Sequence, residues 1–478
     1  MKKLVFLITF VLLHICGCTS SSSLQGNGTE ENPYLIRNGN DLSKLSAFVA
    51  NKKEQYVNGH YKVTNDINLK NVNFLPIGGI DFSYFNGTFD GDGHTIKNFK
   101  ISAYRQYSGL FGYLEKDATI KNLNVETNYS IVSQRSFTGL VVSFASAGSK
   151  ILNCSAKGSI IYDKIIDQSS FSNSKFISQY KDVLVEETLD EEESEEEKTK
   201  TVYYFKGFAG GIVGMNYGLV ENCSASVTIK SDVVGGIAGS NAGTITNCEA
   251  VNCNLYAGTS VGGIVGYSNL VINSSTEYAQ VTYCSSRDHH ISGTTILGGI
   301  VGASLGRLII DRCQSYGIIE DTSSHSTTAG DILGRIVYLY VHASSQSNLY
   351  LNNRLNNVKV TNCLSLNSFK VCPDAEKYLS IYVLLFPTSF ASKSFSDCIS
   401  QMSVKDGTSS NTEITSSDLV TLYVFNENYA ELANNASSHS DLTKETISER
   451  IKTPVDNIET HTVDDVTGYI LADVKNVV

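Results

Sequence analysis

The sequence predicts an all-β fold: a right-handed parallel β-helix with a short N-terminal capping helix and a partly helical C-terminal region. Three observations predict it. A glycine-marked unit recurs along the 478-residue chain, apolar and polar residues alternate inside each repeat, and successive repeats begin about one solenoid turn apart. Tyr, Ser, Asn and Thr are abundant, Trp is absent and there are only 5 Pro, a composition that suits strands and turns better than helices.

The clearest repeats are GGIVGMNYGLVENCSASVTI from Gly210, GGIAGSNAGTITNCEAV from Gly235, GGIVGYSNLVINS from Gly262 and GGIVGASLGRLIIDRCQSYGII from Gly298. Their starts lie 25, 27 and 36 residues apart. Weaker repeats begin at Gly109 and Thr138, and AGDILGRIV from Ala329 with VKVTNCLSL from Val358 reads as one repeat split by an insertion. In CSASVTI, Cys223, Ala225, Val227 and Ile229 alternate with Ser224, Ser226 and Thr228. That is a period of two, with an apolar row facing in and a hydroxyl row facing out.

Val220 falls out of phase with that row, so the break at Glu221-Asn222 marks a corner. Asn tolerates left-handed backbone at such a corner, and Asn153, Asn247 and Asn362 hold the same place. The glycine pairs mark a second tight place. Each repeat should then supply two or three strands of about five residues, a length usual for strands. One such unit cannot bury its apolar row alone, whereas stacked parallel units share one core. A period near 25 suits a β-helix turn, while a propeller blade needs about 40 residues. The leucine pattern of leucine-rich repeats is missing, and parallel crossovers of this kind run right-handed.

The quartets Gly109-Leu110-Phe111-Gly112, Gly211-Ile212-Val213-Gly214, Gly236-Ile237-Ala238-Gly239, Gly263-Ile264-Val265-Gly266 and Gly299-Ile300-Val301-Gly302 resemble the GLUG motif, in which U is a bulky apolar residue. Only the first carries the literal leucine. GNGTEENPYLI from Gly26, TNDINL from Thr64 and FNGTFDGDGHTIKNF from Phe85 resemble the leader of bacterial GLUG-repeat surface proteins. The resemblance covers roughly residues 26–370. It implies a secreted or surface protein and assigns no activity.

The start, MKKLVFLITFVLLHICGCTS, reads as a signal peptide over residues 1–17. The apolar run Leu4–Leu13 is too short to span a bilayer. Ile15-Cys16-Gly17-Cys18 resembles a bacterial lipobox, which would make Cys18 the lipidated mature N-terminus; the plain alternative is ordinary cleavage nearby. Residues 26–105 are expected to form an N-terminal cap and the first coils. Asn40-Asp41 followed by LSKLSAFVANK reads as a capped amphipathic helix with Leu42, Leu45, Phe48 and Val49 on one side, covering the first coil. Residues 106–399 form the repeat array. An acidic insertion over 161–206, containing EETLDEEESEEEKTK, is expected as a solvated, disordered loop; a weak divalent-cation or basic-partner site is the alternative. Residues 400–478 are assigned as a C-terminal cap or accessory region.

Cys154, Cys223, Cys248, Cys313 and Cys363 each follow a corner, and Cys284 and Cys398 hold similar places. None shows the close spacing of a metal site. Residues stacked in register on parallel strands point the same way, which disfavours disulfides. Free, buried thiols are expected.

Net charge is −11, which argues against nucleic acid as a partner. Asp90 to His94 resembles a β-helix glycosidase turn, yet no outward Asp or Glu column supplies the second carboxylate that glycoside hydrolysis needs. Asp90-Gly91-Asp92-Gly93 therefore reads as a turn. A calcium loop also fails, since the twelfth position from Asp90 is Ile101. Some proteases that cleave immunoglobulin A carry the same repeats, but HExxH and P-loop motifs are missing. The expectation is no enzyme, no catalytic residue, no metal ligand and no cofactor. The outward Ser, Thr, Asn and Tyr rows suit an exported, monomeric surface binder of glycans or host proteins, touching a membrane only through an N-terminal lipid. A passive envelope spacer and, behind it, a polysaccharide-degrading β-helix enzyme are the alternatives.

Overall fold

The computed structural model describes residues 23–70, 72, 74–80, 82–100, 107–133, 137–162, 184–190, 199–205, 207–268, 278–304, 307–322, 328–330, 332–336, 358–371, 380–381, 395–396, 399–400, 403–406 and 443–476. The chain is mostly β, and its sheets are predominantly parallel. Each repeat adds one short strand to a first sheet, a longer strand to a second and a four-residue strand to a third. In the repeat at Gly210 these are Leu219–Glu221, Ser224–Gly235 and Val213–Asn216.

The first sheet has eleven strands in strict chain order, from Tyr34–Ile36 to Phe395–Ser396. Its middle residues stack in register: Phe89, Ile120, Ile151, Val220, Ile245, Val281, Ile310 and Val360. All are 0% exposed, so this one column removes eight large side chains from water, each stabilising by about 1.5–3 kcal/mol. The inward residues of all three sheets join a single core cluster. Strand lengths differ from the uniform five of the sequence reading. The second sheet's strands reach 12 residues because no corner divides Ser224 from Gly235.

The expected corners are where the sequence puts them. Asn153, Asn222, Asn247 and Asn362 all have φ of 53–54°, the left-handed region that Asn enters at low cost. Asn122 belongs to the same column, and so do Tyr283 and Arg312, at φ of 53° and 52°. Those two are residue types that no turn rule selects. Two further left-handed residues, Asn252 and Asp288 (φ 52° and 51°), kink the second sheet in adjacent repeats.

The glycine pair has a backbone reason. Strand Phe208–Gly210 folds back on Val213–Asn216 so closely that a Cβ on Gly210 would lie 2.1 Å from the Val213 carbonyl oxygen; the equivalent distances at Gly235, Gly262 and Gly298 are 2.0 Å. The fourth residue of the motif needs glycine for the same reason, since a Cβ on Gly239 would lie 2.7 Å from the Ala209 nitrogen. Where the weaker repeat has Ser143 instead, its hydroxyl donates to the Phe137 carbonyl at 2.6 Å.

The N-terminal helix is Gly39–Ala50. Its cap is Asn38, whose side chain accepts from the N–H groups of Asn40 and Asp41, and not Asn40-Asp41 as the sequence suggested. Asp41 instead sits in the first turn, where its carboxylate takes the Arg37 guanidinium at 2.8 Å and complements the helix dipole. Leu42, Leu45 and Val49 join the main core, with Phe48 packed against it.

Two regions depart from expectation in kind. Within the acidic insertion, Leu184–Asp190 and Thr199–Phe205 pair antiparallel, so that stretch carries a hairpin and is not loop throughout. Near the C-terminus, helix Lys444–Ile451 leads into an antiparallel hairpin, Ile458–Val463 with Val466–Leu471. Asp464 and Asp465, both at positive φ, form its two-residue turn. This hairpin lies against the outer flank of the second sheet, with Val463 and Ile470 on Tyr316 and Leu366, and Ile458 and Leu471 near Leu364.

Candidate binding face

The first sheet presents two outward rows on either side of its buried column. One row runs Thr88, Thr119, Lys150, Leu219, Thr244, Gln280, Ile309 and Lys359; the other runs Asp90, Lys121, Leu152, Glu221, Thr246, Thr282, Asp311 and Thr361. These residues are half-buried or exposed. At about 4.8 Å per strand the rows extend for more than 30 Å.

Neighbouring side chains on this face bond to each other. The Thr282 hydroxyl donates to that of Thr246 at 2.9 Å, and Thr361 and Asn362 donate to Asp311 at 2.6 and 2.9 Å. The corner column continues the ladder, with Asn153 donating to Asn122 and Asn122 to Asp90. Tyr278 lies at the edge of the face with the Lys359 ammonium 5.4 Å and the Arg307 guanidinium 5.7 Å from its ring, an arrangement of cations over an aromatic face. The result is a pre-ordered array of hydroxyl, amide and charged groups suited to hydrogen-bonding an extended polar ligand.

Asp90-Gly91-Asp92-Gly93 is a turn. The Asp92 N–H donates to the Asp90 carboxylate at 2.9 Å, and Asp92 and Gly93 have positive φ. Burial acts to raise the Asp90 pKa, but the Asp92 N–H, the Asn122 amide and Lys121 outweigh it and hold the carboxyl below its ordinary value. A carboxylate kept ionised in this way is the wrong partner for protonating a leaving group. Among the described residues no group of three or more His, Cys, Asp or Glu is placed to hold a metal ion.

Cys154, Cys223, Cys248, Cys284, Cys313 and Cys363 form one inward column, all free and buried. Each thiol donates to the carbonyl two residues before it, at 3.2–3.4 Å. Burial pushes Cys253, next to the kink at Asn252, up to about 11, away from the reactive thiolate. Cys18 and Cys398 lie outside the described residues.

Sequence reasoning missed one buried polar cluster. His289 is 2% exposed, and its Nδ1 lies 2.8 Å from the Ser286 hydroxyl. Gly317 makes room for the ring, since a Cβ there would fall 2.7 Å from the imidazole. Burial pulls the His289 pKa down to about 3, so the ring is neutral. The adjacent His289-His290 pair splits: His290 points outward and meets the Glu320 carboxylate at 2.6 Å. The alternation of a strand, visible in the sequence, was the available signal.

Comparison with known proteins adds the following. The family model described as the GLUG motif matches residues 209–230. A protein described as a Gly-rich membrane protein of Evansella cellulosilytica is 29% identical over 136 residues, which is 27% of this chain and 15% of that protein. Halomucin of Haloquadratum walsbyi is 31% identical over 149 residues, 30% of this chain and 2% of its own length. The chain thus matches only a small part of either curated relative. A crystal structure described as an immunoglobulin A1 protease from Bacteroides ovatus aligns over 92% of this chain and 93% of that one, at a TM-score of 0.35 and 15% identity. A likeness that loose carries neither fold nor activity to this chain.

Proposed function

We propose that this chain, which matches the GLUG motif over residues 209–230, is an exported cell-surface protein whose right-handed β-solenoid displays long polar faces for binding glycans or host proteins. The observation that carries the reading is the first sheet's outer face, with its two in-register rows and the Thr246–Thr282 and Asp311–Thr361 bonds. A repeated, pre-ordered array of donors and acceptors favours extended polar ligands, because little side-chain entropy remains to be lost on binding. The relative described as a membrane protein supports a location at the cell envelope. In this reading residues 1–17 direct export, Cys18 receives the lipid, and the repeats act as a scaffold without catalysis.

The test is glycan-array and host-protein binding by the purified chain from residue 19, beside a Thr246→Arg/Thr282→Arg variant that fills the face without touching the core. Binding to an extended glycan that the variant loses is the expected result. No binding, together with no adhesion defect when the gene is deleted, would leave a passive spacer. Metabolic palmitate labelling with Cys18→Ala as control tests the anchor, and label that survives the substitution rules it out.

A further inference from the structure

The outer flank of the second sheet changes character along the stack. In the repeat at Gly210 its outward residues are Ser224, Ser226, Thr228 and Lys230. Farther on, Tyr316, Ile318, Leu364 and Leu366 face out, and the C-terminal hairpin covers them. The strip and the hairpin are complementary in chemistry as well as shape. The Gln314 side chain takes both the carbonyl and the N–H of Leu471 at 2.9 Å. Asp464 accepts from Ser368 at 3.0 Å and pairs with Lys370 at 3.7 Å, and His461 lies 3.3 Å from Asp288.

These contacts are non-covalent, and the most buried of them reads main-chain atoms. Nothing in them distinguishes the molecule's own hairpin from a neighbour's. Chain connectivity does not distinguish them either. Thirty-six residues, 407–442, join Asp406 to Thr443. Asp406 pairs with Val371, seven residues along the strand from Leu364, a distance of roughly 23 Å at 3.3 Å per residue. Thirty-six residues can reach about 120 Å.

We propose that residues 443–476 are a clasp for a second copy of this chain, docking on the neighbour's Tyr316–Leu366 strip by hairpin exchange. Exchange of an identical element uses an interface that already exists, so it needs no new surface. Docking within one molecule benefits from an effective concentration in the millimolar range, so exchange grows with the packing density of the molecules.

The Ser368–Asp464 contact supplies the test in the full-length chain. A Ser368→Cys/Asp464→Cys double variant should form an intramolecular disulfide under mild oxidation. Ser368→Cys and Asp464→Cys single variants carrying different tags, when co-expressed, should form a mixed disulfide-linked dimer whose yield rises with concentration. Complete cross-linking of the double variant while the mixed single variants stay monomeric would overturn the proposal. So would a double variant that fails to cross-link, because the seat itself would then be misplaced. A dimer formed equally by either single variant alone would also overturn it, since native thiols would be making the link.

Discussion

Gln314 and Leu471, 157 residues apart, form a closed hydrogen-bonded pair: the Gln314 amide nitrogen donates to the Leu471 carbonyl, and the Leu471 N–H donates back to the Gln314 amide oxygen, both at 2.9 Å. Both bonds are buried, so truncating Gln314 leaves two backbone groups that neither water nor protein satisfies. Each orphaned group costs about 1–3 kcal/mol. Gln314→Ala should therefore weaken hairpin docking by roughly 2–6 kcal/mol. Hydrogen exchange at Leu471 and across Ile458–Val463 should accelerate, with residues 207–262 unchanged. Retained protection at Leu471 would show that the apolar contacts alone hold the hairpin.

The glycine rows predict a sharp contrast between two single-methyl additions. A Cβ on Gly235 would meet the Ala238 carbonyl oxygen at 2.0 Å, and the atoms it strikes are backbone. Gly235→Ala should cost several kcal/mol or prevent folding, in line with other forced backbone distortions. Gly258 is exposed, has no left-handed φ, and its Cβ would find only the Asp232 carboxylate at 3.9 Å. Gly258→Ala should be neutral or stabilise by about 0.4–1 kcal/mol through the unfolded chain. Thermal unfolding of the two variants measures the difference, and equal melting temperatures would refute the close-approach account.

The parts of the fold legible in the sequence are those with a period. The Asn corners, the Cys column and the inward Ala225, Val227 and Ile229 follow from phase alone, because a strand repeats every two residues and each corner resets it. Tyr283 and Arg312 at corner positions were not legible. Their left-handed backbone is imposed by the strands stacked on either side and not by local preference. The hairpin's seat was not legible either, since docking between segments 157 residues apart leaves no periodic trace. One signal was nevertheless present: Tyr316, Ile318, Leu364 and Leu366 interrupt the outward Ser and Thr rows, and an apolar outward strip implies a cover. On the candidate face, the outward Thr and Lys identities could be read from alternation, but the Thr246–Thr282 and Asp311–Thr361 ladders required the stacking register.

The cysteine column predicts a thiol count that depends on folding. The seven described cysteines are free and at most 2% exposed, and burial raises Cys248 as well as Cys253. Buried side chains are out of a reagent's reach, so a maleimide or disulfide reagent should leave these seven largely untouched in the native protein. In denaturant at least seven thiols should react. A denatured count near zero would mean the cysteines are paired, contrary to their parallel stacking.

The buried histidine ties stability to pH. His289 titrates at about 3 in the folded chain, chiefly because burial disfavours the imidazolium, against about 6.5 when unfolded. Between those values the unfolded chain binds one more proton than the folded chain, so this residue makes stability rise with pH through that window. Above pH 6.5 its effect is nil. As the pH falls below 6.5, it removes up to about 1.4 kcal/mol per unit until about pH 3. Carboxylates such as Asp66, held low by the Thr95 N–H against opposing desolvation, give a slope of the same sign, so the wild-type profile alone cannot assign the effect. The difference between wild type and His289→Gln can, because glutamine keeps polar atoms near Ser286 without titrating. Chemical denaturation at pH 7.5, 6, 5 and 4 should show the variant losing less stability than wild type over pH 6 to 4, by about 2–3 kcal/mol. Parallel profiles would mean that His289 is reached by water or protonated in the folded chain.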